Sequence, residues 1–527
     1  MCLPGSPITL PLVPDPDRKY DVAPEFALPD LTAALPRGGH LIEHPAVRLR
    51  DTYYDTADLR LARGGALLWH RRGGVGPPWI VQLPIPVPEA AAPHPVREVS
   101  AKGAAGRIPE QLVQLVLSFS RGAPLVATTT LMVDRRAYQV VDWGGVPLAE
   151  LIDDTVSLMD GRRVGSQLRQ LRVTPTDTSQ LADQIGLALL AAGAAPAAVT
   201  PMQVRAFAPL ALEPADLPPP RPLGSDPSAA DVVIEELRQQ TARLLRHDPE
   251  VRLAIEDGTD HGADPEGVTA FAVACRRLRT DLRVFSPLLA TAAVPGRQPT
   301  GADLLGPLRD LAGALRTVTA PGVLRERLAS LDASHLDTDA LVALDSCLAG
   351  IQARGWATLA TAMAGAAYPR MVEGLVATAR APRLREPAHE AASEVLPVLA
   401  ATLWERYRLA AEQLTARADA EQWRTARQAA RRLRRLTQLA EPAVGTPAKR
   451  LVETLEPLID QLDAVRDADR ATQLWLAASE VRPVDRPMAI CVGRLVEREH
   501  VRSSTARVAF LTAWREQEWR TATEWLI

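Results

Sequence analysis

The chain has 527 residues, 47% hydrophobic and 23% charged, a balance typical of globular proteins and a length that predicts two to four domains. With 60 Lys and Arg against 63 Asp and Glu the net charge is −3. A protein that coats nucleic acid carries a large positive excess, so any anion site must be a local patch and no specific nucleic-acid partner is expected. The four cysteines, Cys2, Cys275, Cys347 and Cys491, form no CxxC pair, which speaks against a zinc site or a disulfide framework and fits a reducing compartment.

Residues Met1 to Pro7 lack the basic start and apolar run of a secretory signal. No apolar stretch of about 18 residues is present to span a bilayer; the nearest, Leu187 to Val199, is short and broken by Gly193 and Pro196. A cytoplasmic protein with no membrane partner is expected.

From there to about residue 208, short segments alternate with period two between turn residues, the pattern of antiparallel strands. They are Val47–Tyr54, Ala66–Arg72, Trp79–Leu83, Thr128–Trp143, Val146–Asp153 and Leu168–Thr174, with a hairpin turn at Gly144-Gly145. Helical periods interrupt at Pro109–Phe119 and Ser179–Ala192. The stretch Pro209–Pro227 holds seven prolines (209, 214, 218, 219, 220, 222 and 227), and proline's fixed φ makes it a semi-rigid linker. Beyond it the period switches to 3.6: Ala229–Leu245, Gly267–Leu289, Asp303–Leu315, Asp339–Ala364, Ala388–Leu414, Ala418–Leu439, Pro447–Val465 and Arg486–Arg520 read as amphipathic helices. The chain is thus an α+β multidomain protein: a mainly β unit over 1–208, a linker over 209–227 and an all-α unit over 228–527.

Within the helical half, Arg276-Arg277-Leu278-Arg279 and Arg431-Arg432-Leu433-Arg434 stand in similar surroundings. They mark an internal repeat, with helical bundles expected over about 228–385 and 386–527. At 3.6 residues per turn Arg276, Arg279 and Arg283 share one face, and Arg424, Arg427, Arg431 and either Arg434 or Arg435 share another. Like charges three and four residues apart repel, a cost that an anion would relieve. The bland alternative is a solvated face laced with salt bridges, but Arg424 to Arg435 holds six arginines and no acid. The candidate anion-binding set is therefore Arg276, Arg277, Arg279, Arg283, Arg424, Arg427, Arg431, Arg432, Arg434 and Arg435. No phosphate-cradling GxxxxGK[ST] loop and no convincing Ser/His/Asp or Cys/His set is present. His261, in Asp260-His261-Gly262, reads as a turn residue.

Pro265 to Arg279, its duplicate Trp423 to Arg434, and the segments Gly445–Leu451, Leu462–Asp469 and Gly493–Glu499 resemble CHAD domains, the conserved histidine α-helical family, across 228–520. The resemblance implies two four-helix bundles related by a pseudo-twofold, with a basic surface between them that binds inorganic polyphosphate. Arginine suits that ligand, since its planar guanidinium keeps its charge and makes bidentate contacts to phosphate oxygens. The family histidines fall at Thr269 and Arg424, and a family arginine falls at Ala272. The first acidic loop, expected after Leu315, reads Arg316-Thr317-Val318-Thr319-Ala320-Pro321; its counterpart around Asp467 and Asp469 is kept.

The β half resembles a CYTH domain, on Tyr53–Leu61, Trp79–Pro84, Arg97-Glu98-Val99 and Leu148–Asp154. That resemblance implies an eight-stranded antiparallel barrel whose tunnel binds triphosphate through inward bases and metal through inward acids. Here the acidic pattern is eroded. The ExExK motif falls on Asp15-Pro16-Asp17-Arg18-Lys19; Gln170, Arg172 and Thr174 stand at glutamate positions; tunnel lysines become Gln82 and, before Arg205, Met202. Magnesium or manganese prefers several hard carboxylate oxygens, so Asp15, Asp17, Glu150 and Asp153 are weak metal candidates and a cofactor is expected only if the tunnel is active. Lys19, Arg48, Arg50, Arg71, Arg72, Arg135, Arg136 and Arg172 are candidate tunnel bases, with Arg48 and Arg50 on one strand face. The expected function is binding of polyphosphate or another polyanion by a CHAD-like domain beside a non-catalytic tunnel. The alternatives are a metal-dependent triphosphatase and a structural scaffold.

Overall fold

The computed structural model describes residues 8–9, 17–85, 96–160, 163–176, 179–197, 204, 209–257, 265–290, 300–331, 336–480 and 485–526. The chain divides into two compact units between Asp216 and Leu217, within the proline-rich stretch. Asp15, Met202, Arg205 and His261 lie outside the described residues.

The N-terminal unit is an antiparallel sheet of β1 (Ile8–Thr9), β2 (Arg18–Val22), β3 (His40–Glu43), β4 (Val47–Asp55), β5 (Leu67–Arg72), β6 (Trp79–Pro84), β7 (Val96–Ala101), β8 (Val126–Val141), β9 (Pro147–Asp160), β10 (Arg163–Pro175) and β11 (Ala195–Pro196). The strand order is β1-β7-β6-β5-β4-β8-β9-β10-β2-β11, with β3 beside β8. Among the described residues the pairing follows a linear path, an antiparallel sheet with helices. The period-two reading holds because burial alternates: on β4, Leu49, Asp51, Tyr53 and Asp55 are buried while Val47, Arg48 and Arg50 are exposed. The β8–β9 hairpin closes where the Asp142 carboxylate accepts the Gly144 and Val146 amides, both at 2.8 Å, and Gly145 takes φ +83°, a conformation natural to glycine.

Four helices join the sheet: α1 (Arg60–Arg63), α2 (Glu110–Leu115), α3 (Leu117–Ser120) and α4 (Ser179–Ala191). The single helix expected over Pro109–Phe119 is split, because Val116 leaves helical geometry at φ −100°, ψ 10°. One sheet face packs Leu49, Tyr53, Trp69, Leu131, Val133 and Val156 with Leu59 and Ala62 beside α1. The other packs Tyr20, Val140, Ala149, Leu151, Leu171 and Val173 against Leu181, Ala182, Ile185 and Leu189 of α4.

The C-terminal unit is helical: α5 (Ala229–Asp257), α6 (Pro265–Val284), α7 (Gly301–Ala329), α8 (Thr338–Ala364), α9 (Ala367–Arg380), α10 (Ala392–Glu412), α11 (Ala420–Val444), α12 (Thr446–Ser479), α13 (Arg486–Glu516) and α14 (Trp519–Thr523). Starts are fixed by side chains that satisfy the free amides of a helix N-terminus. Thr300 with Asp303 and Asp419 with Gln422 form capping boxes, and Asp337 and Asp485 accept the amides of Ala340 and Met488. The acidic loop expected after Leu315 does not exist: α7 runs on through Pro321 to Ala329. Its continuation is held by burial, since Leu324 and Leu328 join Leu344, Leu348, Trp475 and Leu495 in one core cluster. The lost helical hydrogen bond of Pro321 is offset by that packing. At Gly355 a Cβ would lie 2.3 Å from the Thr317 carbonyl oxygen, so glycine is what lets α8 approach α7 this closely. No helix among the described residues is long and apolar enough to cross a membrane.

Candidate functional site

The two arginine blocks lie on α6 and α11, which pack against each other in the C-terminal unit. Buried apolar positions set their orientation. Phe271, Ala274, Cys275, Leu278 and Leu282 of α6 and Trp423, Ala426, Ala430, Leu433 and Leu436 of α11 are buried, which turns part of each arginine stripe toward a cavity of about 930 Å³ lined also by α7, α12 and Arg502 of α13. Thirteen arginines and two aspartates, Asp467 and Asp469, line it. The stripes therefore converge on one space.

Of the sequence candidates, Arg276, Arg279, Arg283, Arg424, Arg427, Arg431 and Arg432 line this cavity. Arg277, Arg434 and Arg435 do not. Arg435 points the other way and is a structural ion-pair residue: its Nε donates to Asp281 at 2.7 Å and its Nη2 bonds Glu236, and Asp281 is fully buried. Arg434 is paired with Glu456 at 3.0 Å, and Arg277 is exposed at the edge of the Arg435 cluster. The sequence reading missed Arg309, Arg316 and Arg327 on α7, Arg466 and Arg470 on α12, and Arg502. Helical spacing along α7 and the i, i+4 pair on α12 was the available signal, hidden by the expected loop after Leu315.

The positions where the family histidines fall, Thr269 and Arg424, both line the cavity, as does Ala272. Among the described residues no histidine lines it.

The arginines fall into two groups. Arg424 is bonded to Glu421, Arg427 and Arg431 to Asp463, Arg327 to Glu499, Arg466 to Asp467 and Arg309 to Asp310. By contrast Arg276, Arg279, Arg283, Arg316, Arg432, Arg470 and Arg502 make no ion pair with any described carboxylate. For the first six of these, burial first and then neighbouring guanidinium charge push the pKa below its ordinary value. Arg470 comes down to about 10, through burial, then Arg466 and Arg316; Arg427 also reaches about 10, through burial, Arg466 and Arg431. All stay protonated at neutral pH, so the shifts express a cluster of cations held together against repulsion. The Nε atoms of Arg279 and Arg431 and Nη2 of Arg427 are buried with no acceptor among the described residues, whereas buried donors are ordinarily satisfied.

Relieving this repulsion stabilises the fold. Arg470→Gln, which keeps much of the side-chain stem, is expected to raise the melting temperature of the ligand-free protein by about 2–4 °C, the shift that roughly 1 kcal/mol produces in a unit of this size. Thermal unfolding followed by circular dichroism checks it; a lower melting temperature contradicts it.

The N-terminal sheet presents a different electrostatic picture. Directly opposed residues share a face, and the registers Lys19–Arg172, Arg172–Ile152, Arg135–Asp154 and Asp51–Arg71 put Lys19, Arg71, Arg135 and Arg172 on the face of Leu49 and Tyr53. Arg48, Arg50, Arg72 and Arg136 point to the opposite face, because Arg50 opposes Arg72, Arg48 opposes Asp134 and Arg136 opposes Asp153. On the first face acids answer bases pairwise: Arg71 with Asp51 at 2.6 Å, Arg135 with Asp154 at 2.7 Å and Arg172 with Asp17 at 3.6 Å. Thr174 donates to Asp17 at 2.5 Å and Gln170 to Asp21 at 2.9 Å. Asp153, a metal candidate, is buried on the opposite face and held by Arg169 at 2.7 Å, while Glu150 is exposed on the first face opposite Thr174. Among the described residues no group of three or more His, Cys, Asp and Glu is placed to hold a metal ion. Carboxylates spent on arginine are not the convergent oxygen set that magnesium or manganese needs.

Three solved structures are similar to parts of the chain. PptA from Streptomyces chartreusis is 21% identical at TM-score 0.44, over 55% of this chain and 100% of that one. The crystal structure of the CHAD domain from the plant Ricinus communis is 19% identical at TM-score 0.44, over 57% and 96%. A candidate adenylate cyclase from Bacillus halodurans is 16% identical at TM-score 0.25, over 37% and 97%. No curated protein matches. The family model of the CHAD domain matches residues 235–476, a span that contains α6, α7, α11 and most of α12, and so nearly all of the arginine-lined cavity: the chain carries a CHAD domain.

Proposed function

We propose that this CHAD domain binds inorganic polyphosphate, or a polyanion of the same repeating-charge chemistry, in the arginine-lined cavity. The observation that carries the reading is the set of seven cavity arginines with no carboxylate partner among the described residues. Guanidinium groups on several helices, read as two copies of one repeat facing each other, offer fork-shaped donors to successive phosphates. A long polyanion that meets many of them also releases its counterions.

A chain-length series tests the reading. Affinity is expected to rise steeply from orthophosphate through tripolyphosphate to long-chain polyphosphate at equal phosphate concentration; equal affinity across the series would sink it. For the N-terminal unit the reading assigns no hydrolysis, because Asp51, Asp154, Asp153 and Asp17 are engaged by Arg71, Arg135, Arg169 and Arg172. Phosphate release from tripolyphosphate with magnesium or manganese is expected to stay at the rate of buffer alone. Metal-dependent release that Glu150→Gln abolishes would establish a triphosphatase instead.

A further inference from the structure

Asp463 is the acid most closely tied to the cavity arginines, yet it does not line the cavity. It lies on α12 with its side chain 20% exposed, and gives one oxygen to Nε of Arg427 and the other to Nη2 of Arg431. Those arginines stand four residues apart on α11, where like charges repel, and Arg427 is largely buried, its side chain 11% exposed. A carboxylate set behind both cancels that repulsion and fixes two long side chains. It leaves Nη2 of Arg427 and Nε of Arg431 without acceptors. Arg276 from α6 and Arg466 from α12 also act on this group of charges.

We propose that Asp463 is a positioning residue for the polyanion: it holds Arg427 and Arg431 in the orientation that presents their remaining donors to phosphate oxygens. The inference rests on the polyphosphate reading above. Its sign is opposite to that of simple charge counting, by which an acid beside an anion site repels the ligand and its removal tightens binding. Preorganisation predicts the reverse, because a guanidinium freed from Asp463 must be ordered again on binding.

The test compares wild type, Asp463→Asn and Asp463→Glu in the full chain, titrated with long-chain polyphosphate at several salt concentrations, with melting curves to verify folding. Asp463→Asn is expected to bind about tenfold more weakly, the loss of roughly one charge-assisted contact. The slope of log affinity against log salt is expected to fall by about one, as one ionic contact is lost. Asp463→Glu leaves net charge unchanged but displaces the carboxylate by a methylene, and is expected to weaken binding as well. It also serves as the readout if the Asn variant fails to fold. Combining Asp463→Asn with Arg427→Gln should cost less than the two single losses together, since one acts through the other. If wild type binds and either Asp463 variant binds as tightly or more tightly with an unchanged or steeper slope, the Asp463 assignment alone falls. Absence of polyphosphate binding by wild type overturns both readings.

Discussion

Replacing Arg435 with alanine is expected to destabilise the helical unit by about 3–5 kcal/mol, the loss typical of removing one partner from a buried ion pair. Arg435 of α11 reaches to Asp281 of α6 and Glu236 of α5, so three helices meet at one guanidinium. Asp281 has no exposed side-chain surface and Glu236 very little; without the cation two carboxylates face each other out of water. The pH dependence has a definite sign. Burial pushes the Asp281 pKa up from 3.8 to about 7; Arg435 opposes the rise, and Glu236 adds to it. A carboxyl whose folded pKa is raised contributes stability below its unfolded pKa and loses it as pH climbs through the folded value, here from about pH 4 to about pH 7. Removing Arg435 removes the influence that holds the pKa down, so the loss extends to higher pH and the deficit of Arg435→Ala should be larger at pH 8 than at pH 5. Denaturant unfolding followed by the helical circular-dichroism signal at the two pH values measures both. A deficit under about 1 kcal/mol, or one that shrinks toward pH 8, contradicts the assignment of Arg435 to the fold.

The second large effect is on binding. Reversing Arg276, Arg279 and Arg283 to glutamate together is expected to weaken polyphosphate affinity by about a thousandfold or more. Hydrogen bonds to charged groups contribute about 1.5–3 kcal/mol each, and every 1.4 kcal/mol is tenfold. The folded state should tolerate the change. Arg276, Arg279 and Arg283 have no acid partner among the described residues, and burial with neighbouring guanidinium groups already disfavours their charge, so the melting temperature without ligand should hold or rise. That combination, lost binding with intact stability, separates a ligand site from a structural one. The same reversal at Arg48, Arg50 and Arg72 of the N-terminal sheet should leave affinity within about twofold. Titration calorimetry gives both numbers, and a small loss in the first variant or a large one in the second contradicts the placement of the site.

Much of the architecture is legible in the sequence, and the gaps have identifiable causes. Period-two alternation locates β4, β5, β6 and β8 closely, since burial on one face is what produces it. Alternation alone does not say which face a set of side chains occupies. Arg48 and Arg50 do share a face, but it is the one opposite Arg71 and Arg135. Two helix extents were read short at their C-terminal ends: α7 continues past Leu315 and through Pro321 to Ala329, and α12 past Val465 to Ser479, because tertiary burial of Leu324, Leu328, Ala471 and Trp475 outweighs local preference. The helix α9 was not anticipated at all. In the site, helical spacing singles out the stripes on α6 and α11, but it does not divide α11 between two jobs. Arg431 faces the cavity while Arg435, one turn on, faces α5 and α6, and that division depends on Glu236 and Asp281, about two hundred and one hundred and fifty residues away in sequence.

The most direct test of the central claim is the salt dependence of long-chain polyphosphate binding to the full chain. An arginine-lined cavity that takes the ligand through many guanidinium–phosphate contacts predicts affinity falling linearly on a log–log plot, with a slope of several units that counts the contacts. Because no histidine among the described residues lines the cavity, that slope should be nearly the same at pH 6 and pH 8. Binding that ignores salt, or that survives the Arg276, Arg279 and Arg283 reversals, would contradict it.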